Sequence, residues 1–268
     1  MPLRDIAFIN TSTKVFPRAV TLAVLVTITA MSTAISKDAL PIIEDLAPET
    51  ANEALVRIPD LGRKLLALRS YLRAGAKLDD RWSWTKEEIE EFEGSTGHKM
   101  LNDAVARIDA HFRQANPGYS LHANTNVRSL DLQIKRWNAN DTVGNAAQEL
   151  LDAWKAKFGP LEADNTQLKK KAVRNWLARY RGTTRAPLAA PGLSRHGQAS
   201  AVDFQIKQGD TFIATPKSRT AKVVWDAQGW DKKLKESVEA AGPNFDGPLL
   251  RPYEPWHYNY DPAAVPVE

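Results

Sequence analysis

The sequence predicts an α+β chain in which a small, mainly antiparallel sheet is flanked by helices. Three observations predict it. Apolar residues recur at helical spacing through most of the first two thirds; HKMLNDAVARIDAHFRQ aligns Leu101, Val105, Ile108 and Phe112 and stops at Asn116-Pro117-Gly118. The last third changes period: AVDFQI alternates as a strand, and Gln208-Gly209-Asp210 can turn it into TFIAT as a hairpin. Beyond the helical segment DKKLKESVEAA, the proline-rich PLLRPYEPWHYNY returns to extended chain.

A chain of 268 residues can bury one good core with a small helical addition. The expected organisation is a targeting segment over 1–36, a helical extension over 37–98 and the main domain over 99–268. Pro41 to Pro48 reads as a polar, proline-bounded connector. From Asn52 to Gly75 the spacing of Leu55, Ile58, Leu61, Leu65, Leu66 and Leu68 is helical and amphipathic, with Pro59 breaking it near the start. Thr85 followed by Glu88 forms a capping box ahead of EEIEEFE. YSLHANTN reads as a short strand, and RSLDLQIKRWN, NAAQELLDAWKAKF and TQLKKKAVRNWLARY read as helices. There is no internal repeat.

At the N-terminus Lys14 and Arg18 precede an uncharged, mainly apolar stretch from Ala19 to Ser36. That is the layout of a secretory signal, with Ser32-Thr33-Ala34 as small residues for cleavage. At roughly 18 residues the stretch also approaches the length of an uncleaved membrane anchor, or of a buried helix. Either export reading places the rest of the chain in the periplasm or cell envelope. The formal charge of +4 suits an anionic polymer as partner, but the positive charges are dispersed, which disfavours nucleic acid. Having no cysteine, the chain cannot form disulfides, thiolate metal sites or a cysteine nucleophile, which leaves His, Asp and Glu as the strong metal ligands.

Two of the five histidines, His196 and His257, sit beside a carboxylate placed to work with them. In SRHGQASAVDF, His196 lies in a glycine-flanked loop. Asp203 lies on a strand whose Val202, Phe204 and Ile206 should face the core, so Asp203 points the other way. A divalent cation satisfies such a pair. In YEPWHYNY, Glu254 and His257 converge only if the chain bends at Glu254-Pro255 and the strand starts at His257. His257 would then be a ligand, with Glu254 held just off the metal. Three protein ligands leave the fourth position for water, and the neighbouring carboxylate can take its proton.

The pattern S-x-H-x6-D followed by E-P-W-H resembles the zinc D-Ala-D-Ala carboxypeptidase family, which includes vancomycin-resistance D,D-peptidases and some phage endolysins and shares its fold with hedgehog signalling domains. The resemblance covers roughly Lys99 to Tyr260 and keeps the order Arg, His, Asp, Glu, His. It implies one zinc ion held by His196, Asp203 and His257 in a cleft at the sheet edge, with Glu254 as general base and then acid. Peptidoglycan stem peptide is the implied substrate and removal of terminal D-Ala the implied reaction. NTNVRSLDLQ is similar to the family's strand-then-helix segment. Arg128 then matches its substrate-facing arginine, able to steady the oxyanion or grip a carboxylate. Ser194 matches the serine before the first ligand, for substrate binding or for capping the loop, and Gln133 braces the fold. One departure stands out. The family carries glycine three residues after the first ligand, whereas this chain has Ala199 there and Gly197 earlier, so the backbone near His196 is expected to follow a different path.

Two further readings stay open: an endopeptidase of the same fold, and a zinc-containing envelope binding protein without catalysis. Glu254 argues against the second, since a structural zinc site is closed by four protein ligands. His98, His111 and His122 lack a spaced partner and are expected outside the site. Trp137, Trp154 and Trp176 are expected as core anchors and Trp256 beneath the metal motif. KKKAVRNWLARYR and KSRTAK read as solvated basic faces, with a polymer-binding patch as the alternative.

Overall fold

The computed structural model describes residues 41–160 and 168–264. The expected targeting segment over 1–36 lies outside them; among the described residues no helix is long and apolar enough to cross a membrane. From residue 41 onward the chain belongs to one compact α+β unit.

The connector expected at Pro41 to Pro48 is instead mostly a helix, α1 (Pro41–Leu46), with Ile42, Ile43 and Leu46 buried. Proline is tolerated in a first helical turn, so the leading proline does not forbid it. After α2 (Asn52–Val56) the chain breaks around Pro59, and Asp60 caps α3 (Leu61–Ala74) by accepting from the Arg63 N–H at 2.7 Å. The capping box forms as expected at the start of α4 (Lys86–Glu93). Then follow α5 (Thr96–Ala115), β1 (Tyr119–Ala123), α6 (Leu130–Ala139), α7 (Asp141–Phe158) and α8 (Lys170–Arg179). The last third holds β2 (Ala201–Gln208), β3 (Thr211–Ala214), one π-helical turn (Lys222–Asp226), α9 (Trp230–Ala241), β4 (Phe245–Asp246), β5 (Leu249–Leu250), β6 (Tyr253–Glu254) and β7 (His257–Tyr260).

The main sheet is antiparallel, in the order β1-β2-β7-β4. β1 covers one edge of β2. The other edge is shared: β7 pairs with its first half, and β3 with its second half, past a bulge at Ile206/Lys207.

Two apolar clusters form. In the first, α1, α2 and α3 pack with α7 and α8 around Leu65, Leu68, Leu150, Trp137 and Trp154. Among the described residues, those from Ile42 to Trp82 therefore share a core with later helices. In the second, α5 and α9 pack on the sheet around Ile108, Phe112, Phe204, Trp225 and Tyr258. Trp137 and Trp154 are core anchors as expected; Trp176 packs half-buried against them.

The loop after α8 is held by Glu149 of α7. Its carboxylate accepts from the backbone N–H groups of Thr183 (2.6 Å) and Thr184 (2.8 Å), and these donors hold its pKa down to about 2. The folded value lies below the ordinary one, so this stabilisation is present above pH 4.5 and is lost as pH falls toward 2. Denaturant unfolding across that range should show Glu149→Gln less stable than the parent at neutral pH, with the gap closing at pH 2. A gap that stays constant would contradict the assignment.

Candidate metal centre

Strand register brings the first two ligands together. Asp203 and His257 are direct cross-strand partners between β2 and β7. The Phe204 N–H donates to the Trp256 carbonyl (2.9 Å) and the Tyr260 N–H to the Ser200 carbonyl (3.0 Å), so the hydrogen-bonded pairs fall on even residues. Asp203 and His257 thus occupy a non-hydrogen-bonded pair, where facing side chains approach most closely. Val202, Phe204 and Ile206 are fully buried on the opposite face. The bend expected at Glu254-Pro255 is present: β6 ends at Glu254 and β7 begins at His257.

His196 arrives on a 3-10 turn, Arg195–Gln198. Its carbonyl accepts from the Arg128 N–H (2.8 Å), which ties the turn to the start of α6. The Trp84 N–H donates to the Gly197 carbonyl at 2.9 Å. Gln133 completes the brace: its side-chain amide donates to the Ser83 hydroxyl (2.8 Å) and the Arg128 carbonyl (2.7 Å), and accepts from the Gly192 N–H (3.0 Å). Gly197 is required by this closeness, because a Cβ there would lie 2.0 Å from Ser83 Oγ and 2.7 Å from Ser83 Cβ. Ala199 sits at φ 51°, ψ 18°, the left-handed region that favours glycine, so the turn closes there without one.

The donor atoms converge. His196 Nε2 lies 3.3 Å from His257 Nδ1 and 3.3 Å from Asp203 Oδ2, and His257 Nδ1 lies 2.9 Å from Asp203 Oδ1. Both imidazoles are buried. With zinc–nitrogen bonds of about 2.0–2.1 Å, two ligands of a tetrahedron lie about 3.3 Å apart, so the two histidines already have the required spacing. A purely hydrogen-bonded cluster fits less well: if both rings donate to Asp203, two N–H groups face each other with no acceptor between them. A cation at the centre removes that conflict, and these three residues could hold a metal ion.

No protein-family model, curated protein or solved structure matches the chain.

Around the three ligands the electrostatics diverge. Burial pushes the Asp203 carboxyl up, but hydrogen bonds from His196 and His257 outweigh it and hold the group well below the usual carboxylate range. Burial lowers His196, against the pull of Asp203, which favours the neutral, metal-binding imidazole. Glu254 is raised, chiefly by burial, with His257 and Arg128 opposing; its Oε2 lies 3.9 Å from His257 Nδ1, and it accepts no hydrogen bond among the described residues. Tyr253, next to it, donates to the Asp226 carboxylate, pinning β6 to the π-helical turn. Arg128 Nη2 pairs with Asp203 Oδ2 at 3.3 Å, leaving Nε and Nη1 without partners among the described residues. Ser194 is half-buried and its hydroxyl makes no capping bond to the turn.

The other histidines stay away, as expected. His98 contacts the Glu93 carbonyl, His111 contacts Ser237 and His122 packs on Phe212. Trp256, next to His257 in the chain, is buried in the second apolar cluster, its ring 5.8 Å from that of Trp225. The brace through Ser83 was not foreseeable, since a lone serine between two tryptophans carries no signal of its own.

Two outcomes follow for stability. Zinc at a thousandfold excess over its Kd should stabilise the parent by about 4 kcal/mol and Asp203→Ala by far less; equal thermal shifts in both proteins would remove Asp203 from the metal site. Gly197→Ala should cost about 1–3 kcal/mol through overpacking against Ser83, measured by chemical denaturation, whereas a neutral effect would show that the brace yields.

Proposed function

We propose that the chain is a zinc-dependent peptidase of the bacterial cell envelope that removes terminal D-Ala from peptidoglycan stem peptides. One observation carries the hydrolytic reading. A half-buried carboxylate that accepts no hydrogen bond among the described residues, Glu254, stands beside a His196–Asp203–His257 cluster that could hold a metal ion. Three ligands would leave one tetrahedral position for water, and a carboxyl raised by burial is better suited to accepting a proton there than one held low.

Zinc held by His196, Asp203 and His257 would supply a Lewis acid and lower the pKa of a neighbouring water towards about 7. Glu254 takes the proton of the attacking water and returns it to the departing amine. Arg128, charged and half-buried, has guanidinium donors left over for the developing oxyanion or the substrate's terminal carboxylate. Ser194, with its hydroxyl uncommitted to the turn, is placed in the substrate-binding role. Zinc is preferred to other divalent ions because two imidazoles and one carboxylate without thiolate suit it. The substrate, the export of the chain and the kinship with hedgehog-type domains rest on the Arg128, His196, Asp203, Glu254, His257 motif order and the sequence pattern of residues 1–36.

Mass spectrometry of pentapeptide muropeptides incubated with zinc-loaded protein should show loss of one D-Ala. Glu254→Gln should retain zinc and lose about 100- to 10,000-fold in kcat. Cleavage elsewhere in the stem or cross-link would replace the carboxypeptidase assignment by an endopeptidase. Unchanged turnover in Glu254→Gln would remove Glu254 from the chemistry.

A further inference from the structure

A second feature lies outside the metal centre. Between α3 and the segment that follows α8 is a cavity of about 800 Å³ whose lining includes Arg69, Arg73, Arg81, Arg181 and Arg185 and, among the described residues, no Asp or Glu. The volume is that of an ordinary small-molecule site. Leu66 and Trp137 contribute apolar lining, and Ser70 and Thr184 add hydroxyls.

Five guanidinium groups on one cavity are costly without an anion. Arg69 and Arg73 are four apart on α3, a like-charge spacing that destabilises a helix. Burial and the neighbouring guanidiniums lower the pKa of both, so the charges act on one another. Among the described residues none of the five forms a salt bridge. The nearby carboxylate of Glu149 is already engaged by Thr183 and Thr184. Two arginines are committed to the backbone: Arg69 donates twice to the Tyr180 carbonyl (3.0 and 2.7 Å), and Arg181 reaches the carbonyls of residues 178–180. These contacts set the cavity wall and leave Arg73, Arg81 and Arg185 as exposed forks without partners among the described residues.

We propose that this cavity is a binding site for a diphosphate group, free or as an ester, held by the guanidiniums of Arg73, Arg81 and Arg185 against the wall fixed by Arg69 and Arg181. A carboxylate brings a single charge. Each phosphate brings up to two, with planar oxygen pairs that match the guanidinium fork, so a diphosphate balances the cluster best. The basic stretch that follows Lys169 acquires a role here, because Arg181 belongs to it. The proposal is independent of the peptidase reading.

The test is calorimetric titration of the full-length chain with inorganic pyrophosphate and, separately, with a soluble organic diphosphate ester, at constant ionic strength and with a chelator present so that no metal mediates binding. One site per chain is expected, weakened at least about tenfold in Arg73→Gln/Arg185→Gln and unchanged in Arg219→Gln, an exposed arginine outside the cavity. Binding of both probes assigns the diphosphate itself as the ligand, and a clear preference for the ester assigns a diphosphate-linked molecule. No binding of either probe, equal binding by the double variant, or equal binding of citrate would overturn the proposal.

Discussion

The side-chain amide of Gln133 joins three stretches of chain that run between the two apolar clusters. Residues 82–84 place Trp82 against one cluster and Trp84 against the other; Val127 and Trp137 do the same around α6, as do Leu193 and Ala199 around the His196 turn. Gln133 bonds to Ser83, Arg128 and Gly192, one or more contacts on each stretch. Each such buried partner left unpaired costs about 1–3 kcal/mol, so the junction is fixed by polar satisfaction as much as by packing. His196 and Arg128 are positioned by this junction. Asp203 and His257 are positioned independently, by the β2–β7 register, in which a slip of one residue would put the two side chains on opposite faces. The candidate metal centre lies where the two constraints meet.

That geometry also explains why the centre tolerates its own burial. Asp203 carries a charge at a partly buried position, and Arg128 and two imidazoles compensate it. Taking a carboxylate out of water is expensive unless it is paired, and here two of the pairing partners, the imidazoles, are also the groups that would bind a cation. Glu254 lies outside this compensation. Close to His257 but without a hydrogen bond among the described residues, its carboxyl is raised by burial where that of Asp203 is held down.

Much of this was legible in the sequence because the periods are clean. Val202, Phe204 and Ile206 alternate with Asp203, which assigned its face; Pro255 forced the bend that lets Glu254 approach His257; Thr85 and Glu88 marked a helix start. What stayed hidden has identifiable causes. Two-residue strands such as β4 and β5 are too short to show a period. The helix at Pro41 was obscured by its proline and its few residues. The segment over 37–98 reads as a helical extension because amphipathicity shows that a face is buried, not which later helix buries it. Ser83 and the arginine cavity depend on contacts between distant segments, which composition does not record. At Ala199 the departure from glycine suggested a rerouted backbone, yet the residue takes up the left-handed conformation itself.

The most direct test of the metal centre is crystallography of the zinc-loaded chain with anomalous data at the zinc edge. The expected result is one strong peak about 2.0–2.2 Å from His196 Nε2, an Asp203 carboxylate oxygen and His257 Nδ1, with Glu254 near but not bound. A peak coordinated by Glu254 as a fourth protein ligand would make the site structural, and a peak elsewhere would contradict the assignment of these three residues as the metal's ligands.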